Sequence, residues 1–302
     1  MVEEKRTVLI TGCSDGSLGS ALALAFHQRG EHRVFAAARD TGRMKALSTQ
    51  GIETLELDVT SDESIKGLVQ KLSALTSGKL DMLVNSVGGG HYMPFYHLDL
   101  AKAKALFDVN VWGFVSVTQA LLPMLMKGAS PTTSGRKSVI VNNTSISSVL
   151  RTPFHSAYNA SKAAMAAFND TQRIELAPFG IRVVELKTGS TKSNFQGNKS
   201  NEVDLPADSP YQPIRDEVME VVTGNKTESY AEDQDEWAKN VVSDLLSKPD
   251  EPPTTIWRGG AAGTIKLTSK LDGAMTTSAG DGGFLDLGGL RKLQSMLEKE
   301  GV

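Results

Sequence analysis

Thr7-Val8-Leu9-Ile10-Thr11-Gly12-Cys13-Ser14-Asp15-Gly16-Ser17-Leu18-Gly19 runs from an apolar, β-branched stretch into glycines and then into an Ala/Leu-rich segment. The first five residues predict a strand, and residues 18–28 carry apolar positions at helical spacing, so the glycines occupy a strand-to-helix turn. Glycine suits a turn where backbone passes close to a ligand. No side chain blocks the approach, and the first N–H groups of the helix are free to meet an anion. Alone, the run reads equally as a plain turn or as a nucleotide loop with Gly12, Ser14, Gly16, Leu18 and Gly19 as candidates. What surrounds it favours the loop.

Working outward, short β-branched runs at 33–38, 54–58, 81–85, 138–142 and 182–186 alternate with helical patterns at 62–75, 100–126 and 157–177. Asp62 ahead of Ile65 and Leu68 reads as a capped helix start. This alternation predicts an α/β fold, a single doubly wound parallel sheet with helices on both faces, and places the glycine loop at its first βα turn. Residues 127–137 (KGASPTTSGRK) read as an exposed loop. From 190 to 230 the rhythm is lost among polar residues and prolines, as in a lid or a solvated loop. A helix at 233–247 and a last strand at 254–257 follow, so residues 1–260 form one domain. The tail, 261–302, is Gly-rich from Asp272 and ends in a stripe of Leu290, Leu293 and Leu297, expected to pack on the domain or on a neighbouring subunit.

Composition narrows the partners. The chain has 302 residues, 40% hydrophobic and 22% charged, and carries a formal net charge of −3. That balance suits a globular protein with a substantial core, and no dense basic block is present to bind a nucleic-acid backbone. A single cysteine, Cys13, allows no internal disulfide. The charged start, Met1 to Arg6, is unlike a secretory signal, so a cytoplasmic setting is expected. No stretch reads as the roughly 20 apolar residues a bilayer span needs, 120–126 being short and holding Pro123, so any membrane association would be peripheral. The five histidines, 27, 32, 91, 97 and 155, show no metal-ligand spacing.

The second strand ends in Ala37-Ala38-Arg39, where a dinucleotide-binding turn that prefers NAD carries a carboxylate for the ribose 2′-hydroxyl. A guanidinium without a carboxylate favours the 2′-phosphate of NADP, the other reading of Arg39 being a solvated loop charge. Ser14 can add a hydroxyl to the same phosphate, provided that Asp15 points away. Downstream, Tyr158 and Lys162 stand four residues apart on one helix face. A phenol of ordinary pKa about 10 is a poor acid or base near neutrality, and an ammonium beside it favours the phenolate. Ser145, at a strand end, can donate a hydrogen bond where charge develops on a substrate oxygen. Asn110, within the long helix, can hold a water for Lys162.

These signatures, in this order, resemble the short-chain dehydrogenase/reductase family over nearly all of the first 190 residues. The motifs are T-G-C-S-D-G-S-L-G at 11–19, Asp58-Val59, V-N-S-V-G at 84–88, Asn110, and Ser145 with Tyr158 and Lys162. The resemblance implies a Rossmann-type fold and an NADP(H)-dependent oxidoreductase. It puts Asp58 and Val59 at the adenine, Asn85 near its ribose, Tyr158 and Lys162 on the nicotinamide ribose, and Thr188-Gly189-Ser190-Thr191 at the carboxamide. The sequence departs from the family pattern in a glycine run one residue longer, in Ser86-Val87 where Asn-Ala is usual, and in Thr188 where proline is usual. The longer loop, Tyr92-Met93-Pro94 and the Trp-bearing C-terminal segment resemble a fungal branch. It includes NADPH-dependent 1-acyl-dihydroxyacetone-phosphate reductases and secondary-metabolite ketoreductases, so a lipid-like or polyketide-like ketone is the expected substrate. An NADP-binding protein without redox turnover, such as an isomerase, a cyclase or a regulator, is the alternative. Tyr92, Met93, Phe95, Phe154 and Phe195 are candidates for an apolar pocket with His91 and His155 near its rim, and the family suggests a homo-oligomer packed through 100–126 and 157–177.

Overall fold

The computed structural model describes residues 5–129, 137–195, 205–224, 229–248, 251–271 and 287–300. Seven parallel strands form one sheet in the order β3-β2-β1-β4-β5-β6-β9. They are β1 (Arg6–Thr11), β2 (His32–Ala38), β3 (Glu53–Glu56), β4 (Met82–Asn85), β5 (Ser138–Asn143), β6 (Ile181–Thr188) and β9 (Thr255–Arg258). The strand order reverses between β1 and β4, which opens a crevice at the carboxyl ends of the strands, where doubly wound sheets bind ligands. The expected α/β sheet is the one found.

Side chains alternate across the sheet, so each strand feeds two cores. Val8 and Ile10 join one with α1 (Leu18–Arg29) and, farther along the chain, α8 (Gln234–Leu246) through Leu22, Phe26, Trp237 and Val241. Leu9 joins the other, with α3 (Asp62–Thr76) and α5 (Phe114–Gly128) through Leu68, Leu72, Leu121 and Leu125. Burial on both faces explains why β1 and β2 read as continuous apolar runs. At α1, the Ser17 hydroxyl accepts from Ser20 N–H at 3.1 Å. At α3 the cap is Ser61, one residue before the expected Asp62, which instead places its charge in the first turn where the helix dipole favours it.

Three readings change. The helix expected over 100–126 is α4 (Leu100–Phe107), a π-helical turn Asp108–Gly113 and α5, because Asn110 and Gly113 draw the chain against the site. Together, Leu100–Gly128 is long and apolar enough to cross a membrane by length and composition, which the short reading of 120–126 did not show. Half of its apolar window is buried, as in a core helix.

The stretch 190–230 is not structureless. It holds β7 (Thr191–Lys192), a 3₁₀ turn Gln212–Ile214 and α7 (Arg215–Thr223), and β8 (Glu232–Asp233) just beyond pairs with β7. Val218, Val221 and Val222 make a narrow buried stripe beneath charged residues, which hid the helix in a polar sequence. Residues 196–204 and 225–228 of that stretch, 130–136 of the expected loop and 272–286 of the Gly-rich tail lie outside the described residues.

The tail also holds α9 (Ala262–Leu271) and α10 (Leu290–Glu300). Leu290 and Leu293 pack on the cluster beneath α7, Leu297 is more exposed, and Lys292 Nζ lies 2.6 Å from Glu217 Oε1.

Candidate active site

The glycine loop leaves β1 at the crevice. Gly12 has φ 76°, and a Cβ there would meet the Ser86 carbonyl oxygen at 2.8 Å; one at Gly19 would meet the Gly12 oxygen at 2.5 Å. Two backbones therefore touch where any larger residue would separate them. Ser17 Oγ donates to the Gly12 carbonyl at 2.7 Å, and Leu18 opens α1 with its side chain on the core. Ser14 is half-buried in the loop. Asn194, which the sequence reading did not single out, closes over Gly16. Its N–H donates to the Gly16 carbonyl at 2.9 Å and its Nδ2 to that of Asp15 at 3.1 Å. The Asp15 carboxylate accepts from Ala46 N–H at 3.3 Å, at the start of α2 (Lys45–Thr49).

Arg39 is exposed beyond the end of β2. Asp58 accepts from the Thr60 hydroxyl at 2.7 Å and N–H at 2.9 Å, bonds that hold its carboxyl below the usual range, with the Arg39 charge adding a smaller pull. Val59 is buried, and a Cβ on Gly113 would meet it at 2.6 Å, which explains that glycine in the π turn. The side chain of Asn85 is buried below the crevice, its Nδ2 donating to Thr118 Oγ1 at 3.1 Å and Asn142 Oδ1 at 3.0 Å.

The structure brings the catalytic candidates together at the ends of β5 and α6 (Ser156–Leu176). Tyr158 is 9% exposed and its phenol is bonded to the Ser145 hydroxyl. Burial pushes the phenol up to about 12, against a smaller downward pull from Ser145. Lys162 is brought down to about 8 by burial; its Nζ donates to the Asn143 carbonyl at 3.2 Å and lies 5.9 Å from the Tyr158 ring centre. Burial sets the direction of the phenol, and the Lys162 ammonium faces the Asn143 carbonyl instead.

Asn110 is fully buried in the π turn, where its Nδ2 donates to the Gly89 carbonyl and to Ser161 Oγ, and its Oδ1 accepts from Gly89 N–H. The side chain braces this loop against α6.

Thr188 Oγ1 donates to Asn143 Oδ1 at 2.6 Å, and Asn143 Nδ2 donates to Ser86 Oγ at 3.1 Å. The residues that depart from the family pattern, Ser86 and Thr188, thus meet through Asn143 across three strand ends. Gly189 lies against Gly259 and Gly260, and Thr191 Oγ1 donates to the Gly189 carbonyl at 3.1 Å.

Of the apolar candidates, Tyr92 meets Tyr158 edge-on at 5.4 Å, stacks on His155 at 4.1 Å, and has its own phenol raised by burial. Phe195 lies 6.0 Å from Tyr158, and Phe154 is buried nearby at φ 64°, a conformation uncommon for its type. His91 is buried and Met93 half-buried. Phe95 is 76% exposed, outside the buried cluster. Leu205, Ile214 and Leu293, which the sequence reading did not connect to the site, complete the same cluster. Among the described residues no group of three or more His, Cys, Asp or Glu is placed to hold a metal ion.

The sequence pattern of the short chain dehydrogenase family matches residues 6–204. The chain belongs to the short-chain dehydrogenase/reductase family. It is 43% identical over 287 residues to a short-chain dehydrogenase/reductase of Pestalotiopsis microspora, covering 93% of this chain and 96% of that one. It is 35% identical over 281 residues to an NADPH-dependent 1-acyldihydroxyacetone phosphate reductase of Schizosaccharomyces pombe, covering 89% and 91%. The crystal structure of a Streptomyces avermitilis short-chain dehydrogenase superposes with a TM-score of 0.73 at 26% identity, covering 100% and 98%. This short-chain dehydrogenase/reductase therefore shares its architecture over the whole chain with an enzyme of its family.

Proposed function

We propose that this protein is an NADP(H)-dependent reductase that converts a ketone to a secondary alcohol. The observation that carries the reading is the buried Ser145–Tyr158–Lys162 group at the mouth of the crevice that begins at the glycine loop. The residues present fit the cofactor: Gly12 and Gly19 let backbone pack on backbone at the first βα turn, α1 begins there, and Arg39 supplies a cation just beyond β2, with the neighbouring Asp40 carboxylate turned onto the Gly42 N–H.

When bound, the nicotinamide supplies the hydride. Tyr158, a phenol up to pKa about 12, holds its proton at neutral pH and donates it to the substrate oxygen. Ser145 orients that oxygen and stabilises its charge through a hydrogen bond. Lys162 holds a cation beside the phenol and offers an N–H to a ribose hydroxyl. A phenol that keeps its proton is in the state that donation to a ketone oxygen requires.

Tyr92, Phe154 and Phe195 give the site an apolar wall suited to a lipid-like or polyketide-like ketone, and the name of the fission-yeast relative supports the lipid-like class. Exposed Trp112, Met126 and Ile174 support a homo-oligomer formed through α4–α5 and α6, readable by light scattering.

The test is a titration with NADPH and NADH, followed by turnover on a panel of long-chain and aromatic ketones. Tight NADPH binding with turnover in the wild type and none in Tyr158→Phe supports the proposal; binding without reduction of any ketone rejects it.

A further inference from the structure

Glu185 and Lys187 stand two residues apart on β6, which puts both side chains on one face of the strand. They are 4% and 7% exposed, with Lys187 Nζ 2.5 Å from Glu185 Oε1. A buried ion pair seldom stabilises a fold more than apolar side chains of the same size would, so this one asks for another purpose. None of the hydride-transfer groups touches it.

What the pair does touch is the turn that carries Ser145. Glu185 Oε1 also accepts from Thr144 Oγ1 at 2.9 Å, one residue before Ser145, a hydroxyl whose other acceptor, the Leu186 carbonyl, lies farther away at 3.3 Å. Lys187 Nζ donates to Ser148 Oγ at 2.8 Å, three residues after it, and lies 5.4 Å from the centre of the Trp257 ring. The turn itself is one short 3₁₀ segment, Ile146–Ser148, in which Ser145 Oγ accepts from Ser147 N–H and the Ser145 carbonyl from Ser148 N–H. A single turn of this kind has few bonds to fix it alone.

We propose that the Glu185–Lys187 pair is a positioning element for Ser145, gripping the turn at residues 144 and 148 and so fixing where the Ser145 hydroxyl meets Tyr158 and the substrate oxygen. The proposal rests on the catalytic reading of Ser145 given above. A carboxylate and an ammonium suit this task because each bond to a hydroxyl is charge-assisted and directional.

Thr144→Val and Ser148→Ala each remove one grip and leave the ion pair whole, while Thr144→Ser keeps the hydroxyl. Glu185→Gln combined with Lys187→Met removes both charges, so that neither is left buried alone. For each variant, NADPH-dependent ketone reduction is measured with and without Ser145→Ala, together with hydrogen exchange of residues 144–150 in the full chain.

The expected result is a fall in kcat of roughly 10–100-fold with NADPH affinity unchanged, since small misplacements of a reacting group cost that much. Thr144→Ser retains wild-type turnover. In the Ser145→Ala background the same changes cost nothing further, as coupled residues require, and amide exchange at 146–149 speeds up. Equal losses in both backgrounds, or unchanged exchange, would overturn the proposal. If the wild type binds NADPH and reduces no ketone, the reductase reading falls instead, and exchange alone then decides whether the pair grips the turn.

Discussion

The two sides of the crevice are built differently. On the β1–β4 side the contacts are chiefly main chain: Gly12 lies against the Ser86 carbonyl, Gly19 lies against Gly12, and Ser17 caps the start of α1. On the side beyond β5 the walls are side chains from segments far apart in sequence, with Tyr92, Phe154, Phe195, Ile214 and Leu293 meeting around Tyr158. A main-chain wall depends on backbone geometry and tolerates little change except at its charged end, whereas a side-chain wall can be repacked while volume is kept. On the function proposed above, the first side suits the dinucleotide and the second the ketone.

The largest effect belongs to the point where the sides meet. Tyr158→Phe removes the proton donor and is expected to lower kcat by about 10²–10⁴-fold in steady-state assays while NADPH binding persists. Arg39→Ala sharpens the contrast from the main-chain side. Loss of a charge-assisted bond, about 1.5–3 kcal/mol, should cut the preference for NADPH over NADH by roughly 10–100-fold with the ketone KM unchanged. An unchanged preference would mean that Arg39 is a solvated charge.

A pH profile tests the buried pair itself. Lys162 is lowered to about 8 and Tyr158 raised to about 12, so at pH 7 both carry their protons. Reduction should decline as pH rises through about 8, where the ammonium is lost, while the phenol is still protonated. Stability should move the other way. The folded state releases the Lys162 proton before the unfolded chain does, so the contribution of this group to stability rises between about 8 and 10, and thermal melts over that range separate lost charge from unfolding. The smallest effect lies in the cover: Leu293→Ala should cost about 2 kcal/mol of stability and raise the ketone KM a few-fold, leaving NADPH affinity as it was.

What could be read from sequence follows the same division. Strand-to-helix turns and the Tyr158–Lys162 spacing are local, and the sheet, the glycine loop and the Ser145 group were all legible from residues close to one another. Asn194 over Gly16, the Asn143 link between Ser86 and Thr188, and Leu293 over the cluster are contacts between distant segments, and nothing in the residues at either end announces the other. Helix α7 escaped because three valines among charged residues make a stripe too narrow to see beside prolines. The direction of the phenol is not legible from spacing, which shows that a lysine is near but not how deeply Tyr158 is buried.

The most direct test of the account follows the transferred atom. NADPH carrying deuterium at the reactive nicotinamide carbon is supplied with a long-chain ketone to the wild type and to Tyr158→Phe, and the product is read by mass spectrometry. The account predicts deuterium on the new carbinol carbon with the wild type and almost none with the variant; label transfer that is equal in the two, or absent from both, would contradict it.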